Sequence, residues 1–406
     1  MSRAIARRAN VAAYLSRCGW DVDRAATSSL VAFARSSSTV KPGTDFKVPP
    51  PPVTSEAIGT GGRSSFSGIT CTVFGATGFL GRYVTHHVAK SGSRMILPTR
   101  CGENDRQHLK VMGDLGQIVQ LDYNIRDEEA IRYAVERSNV VINMVGREWE
   151  TRNFSFDDVH VTFPKKLAEI CADVGVRRLI HVSALGADED HPSAYYRTKA
   201  AGEAVVREAF PSATIVRPAK MVGVEDRFLN VFGEHSRKYP AVPIIDGGDS
   251  THQPVFVDDV AVAVRQIVHD ELTCGKTYEL AGNKEYTVDE LAKLVLRTTR
   301  SRRSTAYIPG FIMRALSCPH EFLLRRVPFP LPTPLGLTRS YIDAQGEDYL
   351  KQPDSLGFSD LGIEPNDIEK GYILDYLRSF RAGGYQVGEA PWEQGNESTL
   401  LESNGR

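Results

Sequence analysis

Ile69-Thr70-Cys71-Thr72-Val73-Phe74-Gly75-Ala76-Thr77-Gly78-Phe79-Leu80-Gly81-Arg82-Tyr83-Val84 decides how the rest of the chain is read. Its first six residues are an apolar, β-branched run ended by glycine, which predicts a short buried strand over 69–74. From Phe79 to Lys90 apolar residues recur at three- and four-residue spacing, which predicts a helix. Gly75, Gly78 and Gly81 answer three separate needs: a tight turn, close approach of backbone to a ligand, and close packing of helix on strand. A helix entered this way directs free N–H groups and a partial positive charge at the turn, as a diphosphate requires. A glycine triplet alone is weak evidence. Between a strand and a helix it predicts a dinucleotide-binding turn.

Outward from that turn, short β-like runs recur at 95–97, 118–121, 140–144, 179–182 and 214–216, with helical spacing at 104–112, 127–137, 157–174 and 197–209. Strands alternating with helices predict βαβ units and a parallel sheet. The expected fold class is α/β: a Rossmann doubly wound parallel sheet over 69–250 with a smaller C-terminal α/β extension over 251–385. The extension is expected to hold strands at 255–257 and 277–280 and a helix at 288–296. Ligands of such sheets sit at the carboxyl ends of the strands.

Those strand ends carry the candidate site. An NAD site calls for an acid about twenty residues past the glycine turn, to bond the ribose 2′-hydroxyl. Leu97-Pro98-Thr99-Arg100-Cys101 offers none, and Arg100 suits a 2′-phosphate, so NADPH is the expected cofactor. Thr77, Phe79 and Leu80 belong to the glycine turn, Val145 and Gly146 end the fourth strand where the cofactor passes, and Pro218 ends the sixth. Asp122, at the end of the third strand, reads equally well as an adenine contact and as a strand-end turn residue. Tyr195 and Lys199 lie one helical turn apart in a Y-x-x-x-K pair, with Ser183 twelve residues earlier. In a reductase of this fold a tyrosine moves the proton, a lysine lowers its pKa and a serine steadies the substrate oxygen. The same side chains also hold the nicotinamide ribose, so they are vestigial candidates and no catalytic residue is assigned.

Composition removes other classes. With 49 basic and 50 acidic residues the net charge is −1, and no basic stripe with interleaved aromatics marks a nucleic-acid surface. Six scattered cysteines without a C-x-x-C pair argue against a zinc site and a disulfide scaffold, so no metal is expected. No apolar run is long enough for a transmembrane helix. Residues 1–45 carry Arg3, Arg7, Arg8, Arg17, Arg24 and Arg35 among serines and alanines, the composition of a mitochondrial transit peptide. A proline- and glycine-rich linker is expected over 46–68 and a disordered tail over 386–406. Between 297 and 339 eight arginines face one acid, Glu321, among Tyr307, Phe311, Ile312, Phe322, Phe329 and Leu331. That mixture suits docking on anionic lipid headgroups, with prolines expected to prevent one long helix.

These motifs resemble the extended short-chain dehydrogenase/reductase superfamily. Further stretches narrow the likeness: Pro98-Thr99-Arg100-Cys101, Val145-Gly146-Arg147-Glu148-Trp149-Glu150-Thr151, Ile180-His181-Val182-Ser183, Lys199-Ala200-Ala201-Gly202-Glu203 and Glu225-Asp226-Arg227-Phe228-Leu229-Asn230. Over about residues 59–380 the chain resembles the alpha-subcomplex subunit nine family of mitochondrial respiratory complex I. The resemblance implies an accessory subunit on the matrix side of the inner membrane, near the junction of the hydrophilic and membrane arms. Such a subunit holds NADPH tightly, touches other complex I subunits and has no independent activity. The alternative reading is a free-standing NADPH-dependent reductase or epimerase of the extended superfamily. A plastid RNA-associated member of the same fold is disfavoured by the missing basic stripe.

Overall fold

A computed structural model describes residues 65–327 and 338–381. The expected transit peptide, most of the linker, the 386–406 tail, and Phe329 and Leu331 lie outside the described residues.

The first half is a βα alternation. Strands β1 (Thr70–Phe74), β2 (Arg94–Thr99), β3 (Ile118–Asp122), β4 (Val140–Asn143), β5 (Arg178–Val182) and β6 (Thr214–Pro218) are connected by α1 (Phe79–Lys90), α2 (Glu103–Lys110), α3 (Glu128–Val135), α4 (Phe163–Val174) and α5 (Ala194–Ala209). A π-helical turn, Asp158–Thr162, leads into α4. The second half adds β7 (Met221–Val222), α6 (Leu229–Lys238), β8 (Ala241–Ile245), β9 (Thr251–His252), β10 (Val255–Phe256), α7 (Val257–His269), β11 (Thr277–Leu280), β12 (Tyr286–Thr287), α8 (Val288–Thr298), β13 (Ser304–Ile308), α9 (Gly310–Arg326) and the short α10 (Arg339–Asp343).

Seven strands form one all-parallel sheet in the order β11-β6-β5-β4-β1-β2-β3. The chain reverses its direction of travel across the sheet between β1 and β4, which opens a crevice at their carboxyl ends. Both faces are covered, so β1 is buried at all five residues, as a parallel strand must be. On one face Val84 and Val88 of α1 pack against Val260 and Val264 of α7; on the other Ile131, Leu167 and Cys171 pack against Phe74 and Val141. A separate cluster joins Phe232, Val242, Leu291 and Val295 from α6, β8 and α8.

The two layers interleave along the chain. β11, expected in the smaller extension, is the edge strand of the main sheet beside β6, and α7 packs on α1. Conversely α6 and β8, which precede residue 250, pack with α8. α7 has no counterpart among the expected elements, since only the short run at 255–257, at its start, reads as an element, and that as a strand. The helix buries Val257, Val260, Ala261, Val264, Ile267 and Val268 between α1 and the sheet, the three- and four-residue spacing of an amphipathic helix.

The 297–339 segment is not one helix: α8 ends at Thr298, β13 follows, and α9 starts after Pro309 and ends before Pro328, although Pro319 sits inside it. A proline there forfeits one helical hydrogen bond. The buried contacts of Met313, Ser317 and Leu324 hold the helix across it.

Candidate functional site

The glycine turn has the geometry its sequence predicts. Gly75 has φ +88°, and a Cβ there would stand 3.0 Å from the carbonyl carbon and oxygen of Met144. A Cβ on Gly81 would lie 2.1 Å from the Gly75 carbonyl oxygen, so only glycine lets α1 seat this close to the turn. The Gly78 N–H donates to the Gly75 carbonyl (3.0 Å). No side chain caps the N-terminus of α1, and its first turn holds no acid. Its leading N–H groups therefore face the crevice as an anion cradle.

That crevice is a cleft of about 450 Å³. Of the residues singled out in the sequence it gathers Gly75, Thr77, Gly78, Phe79, Leu80, Gly81, Gly146, Ser183, Tyr195, Lys199 and Pro218. Three others stand outside its lining. The exposed Arg100 lays its guanidinium over the Phe154 ring, 5.4 Å from the centroid. The carboxylate of Asp122 is ion-paired with Arg106, which also donates to Thr99 Oγ1 (3.0 Å). Val145 packs against the cluster around Phe74 and Phe163, and its N–H donates to Asn143 Oδ1 (3.1 Å).

α5 presents Tyr195 and Lys199 together, with the Lys199 ammonium 6.0 Å from the Tyr195 ring centroid. Lys199 is buried and donates to the Val182 carbonyl (3.2 Å), and burial draws its pKa down to about 8. The Tyr195 phenol moves in the direction opposite to that of an activated proton donor. Burial, then Tyr196 and Glu148, push its pKa up. Ser183 Oγ and His181 Nε2 are buried and without a hydrogen-bond partner among the described residues. A buried hydroxyl left in this state at the edge of a cleft fits a ligand that supplies the missing bond.

A histidine that the sequence reading passed over braces this arrangement. The Arg147 N–H donates to His160 Nε2 (3.2 Å), so the proton sits on Nδ1, which donates to Thr198 Oγ1 (2.9 Å). His160 thereby ties the loop after β4 to the helix carrying Tyr195. Burial, then the Lys199 charge, hold it neutral far below its ordinary pKa. His181, bonded to Asn143 Nδ2 through Nδ1 (3.2 Å), is lowered to about 3 by the same two causes.

The far end of the cleft is walled by Arg147 and Glu148 from the loop after β4 and by Lys220, Arg227, Tyr341 and Tyr349 from beyond residue 218, where the sequence displays no readable pocket. A signal was present in part. The stretches 146–151 and 225–230 meet here: Arg227 approaches Glu148 (3.7 Å) and stacks over Trp149 (4.8 Å). Asp226 is buried beneath them, accepting from the N–H groups of Gly223 and Asn230 and from the Tyr376 hydroxyl (2.7 Å). Burial raises its pKa to about 6.

A seven-stranded parallel sheet with a glycine turn at its switch point and a Ser-Tyr-Lys group across the cleft defines an extended short-chain dehydrogenase/reductase. Residues 69–313 match the RmlD substrate binding domain family. The chain is 44% identical over 338 residues to alpha subcomplex subunit 9 of mitochondrial NADH dehydrogenase (ubiquinone) from Arabidopsis thaliana, covering 83% of this chain and 84% of that protein. It is 42% identical over 325 residues to the same subunit of Rattus norvegicus (80% and 83%) and 38% identical to the 40 kDa subunit of NADH-ubiquinone oxidoreductase from Neurospora crassa (80% and 83%). Among solved structures, an epimerase from Methanothermobacter thermautotrophicus is similar at TM-score 0.57 and 17% identity, covering 77% of this chain and 92% of that one. The chain belongs to the family of alpha subcomplex subunit 9 of mitochondrial NADH dehydrogenase (ubiquinone).

Proposed function

We propose that this protein is an accessory subunit of mitochondrial respiratory complex I that holds NADPH as a structural ligand and performs no turnover of its own. The observation that carries the reading is likeness along most of the chain, 44% over 338 residues, to a protein named as a subunit of that complex. The cleft supports the nucleotide half. The α1 N-terminus takes the diphosphate, the Ser183 hydroxyl with Tyr195 and Lys199 takes the nicotinamide ribose, and Arg100 grips the 2′-phosphate by moving off Phe154. NADPH supplies, when bound, the charge and shape that this cradle is built around. Mass action then stabilises the fold by about 2.7 kcal/mol at a hundred times the dissociation constant, a sizeable share of a domain's stability.

Tyr195 lines the cleft half-buried beside Lys199. A reductase lowers the pKa of its tyrosine towards working pH, whereas burial raises this one. The location that accompanies the reading is the matrix face of the inner membrane, near the junction of the two arms and against other complex I subunits. Among the described residues no helix is long and apolar enough to cross a membrane. α9 offers a peripheral contact instead. Phe311, Leu316 and Phe322 are 72%, 57% and 62% exposed along it, beside Arg325 and Arg326, a pattern that suits anionic headgroups.

Native gels of mitochondrial membranes expressing wild type or Tyr195→Phe test the proposal. Both proteins should comigrate with complex I and support equal NADH:ubiquinone activity. A carbonyl substrate reduced with NADPH by the purified wild type and not by Tyr195→Phe would establish the competing reductase reading.

A further inference from the structure

Beyond Tyr195 the cleft ends in a group of side chains that the dinucleotide reading does not use. Lys220, two residues past β6, extends its ammonium to 5.7 and 5.9 Å from the ring centroids of Tyr196 and Tyr349. Those rings stack at 4.9 Å and are each 3% exposed. The Tyr349 hydroxyl is shared with His191 Nε2 (3.1 Å) and the Ala344 carbonyl (3.0 Å), so the wall is fixed. Among the described residues no carboxylate is ion-paired with Lys220. Glu148 acts on it only from a distance and leans towards Arg227. Burial opposes the lysine's charge, but the Tyr196 hydroxyl, Glu148 and Tyr341 outweigh it and hold the pKa above its ordinary value.

Lys220 therefore stays charged at the end of the cleft with no carboxylate in contact among the described residues, and its ammonium can take an anionic ligand. Arg147 and Arg227 share this wall with Glu148, but Lys220 stands over the aromatic rings, so the anion suited to it carries an apolar body behind a carboxylate rather than being a compact phosphate. We propose that this end of the cleft binds a small organic monocarboxylate, its carboxylate on Lys220 Nζ and its apolar body against Tyr341 and the Tyr196–Tyr349 stack. The inference rests on the reading that a dinucleotide fills the glycine-turn end.

The test titrates full-length, NADPH-loaded protein with benzoate, butyrate and inorganic phosphate, followed by isothermal titration calorimetry. Benzoate and butyrate should saturate one site. Lys220→Met should weaken them by roughly tenfold or more, the loss expected for a charge-assisted bond, with bound NADPH unchanged. Lys220→Arg keeps the charge and should keep most of the binding, which separates a lost ligand bond from a damaged fold. Carboxylate binding that survives Lys220→Met, binding of phosphate alone, or release of NADPH by that substitution would each overturn the proposal. If the wild type carries no dinucleotide, the functional reading fails by itself, and the same titration of the nucleotide-free protein still decides the role of Lys220.

Discussion

Gly81→Ala puts the packing of α1 on the glycine turn to a severe test. The added methyl would stand 2.1 Å from the Gly75 carbonyl oxygen and 2.8 Å from Ala76 Cα. An ordinary carbon–oxygen contact is about 3.3 Å or more, so the overlap is about 1 Å. The turn cannot retreat, because Gly75 is already pressed against the Met144 carbonyl and Ala76 is fully buried. The helix cannot retreat freely either, because Val84 and Val88 are locked against α7. Overpacking costs about 1–3 kcal/mol, and the upper part of that range applies because the opposing atoms are backbone. In a domain of this size each kcal/mol moves the melting temperature by about 2–4 °C, which gives a drop of about 5–10 °C. Differential scanning fluorimetry measures the drop, and quantification of nucleotide released on denaturation measures the cradle. Gly78→Val is the companion, since a Cβ there meets only the Gly75 oxygen at 3.2 Å. It should lose the nucleotide while the nucleotide-free protein keeps most of its stability. A Gly81→Ala protein with wild-type melting and wild-type nucleotide content would refute the reasoning.

Other outcomes follow from the same geometry. Arg100→Ala should weaken NADPH ten- to a hundredfold, the worth of a charge-assisted bond of about 1.5–3 kcal/mol, and leave NADH nearly unchanged; equal losses for both would remove Arg100 from the 2′-phosphate. Acid should destabilise the protein steeply. His181 and His252 titrate near 3 when folded, both chiefly through burial, and near 6.5 when unfolded. Their contribution is therefore complete above about pH 6.5 and is lost as pH falls towards 3, at about 1.4 kcal/mol per pH unit for each. His252→Phe keeps the stack on Tyr349 and should flatten the pH dependence of urea unfolding; an unchanged slope would contradict the assignment. Reversing Arg302, Arg303 and Arg326 to glutamate leaves the Arg325–Glu150 ion pair intact. At about 1 kcal/mol per basic residue this should cut binding to cardiolipin-containing vesicles by about a hundredfold or more, and unaltered binding would rule out α9 as the lipid contact.

Much of the site is legible along the chain, because its phosphate end is local. Gly75 to Gly81 lie in seven consecutive residues, and the Tyr195–Lys199 spacing survives as one helical turn. All seven strands of the sheet are equally readable as separate apolar runs, β11 included. What escapes is chiefly non-local. α7 starts at the end of the short run at 255–257, which masks its start although its apolar residues keep helical spacing, and α6 and β8 lie where the strand–helix alternation loosens after residue 218. Lys220 reads as an ordinary polar residue until β6 aims it between Tyr196 and Tyr349, the second from 129 residues further on. His160 is similarly silent, since its role depends on the Arg147 N–H in the loop after β4 and Thr198 on α5 meeting around it. Asp122 shows the reverse limit. Its position at a strand end is read correctly, while its partner Arg106 emerges only in three dimensions.

The claim on which the account turns is that the cleft carries a dinucleotide that stays. Complex I isolated through an affinity tag on this chain, washed free of added nucleotide and denatured, can be assayed for released NADPH by mass spectrometry. The account predicts that the tagged chain brings the whole complex with it and that NADPH is released at one equivalent per chain, undiminished by prior turnover of the complex with NADH and ubiquinone. Recovery of the chain without complex I, or with the complex but no tightly held nucleotide, would contradict it.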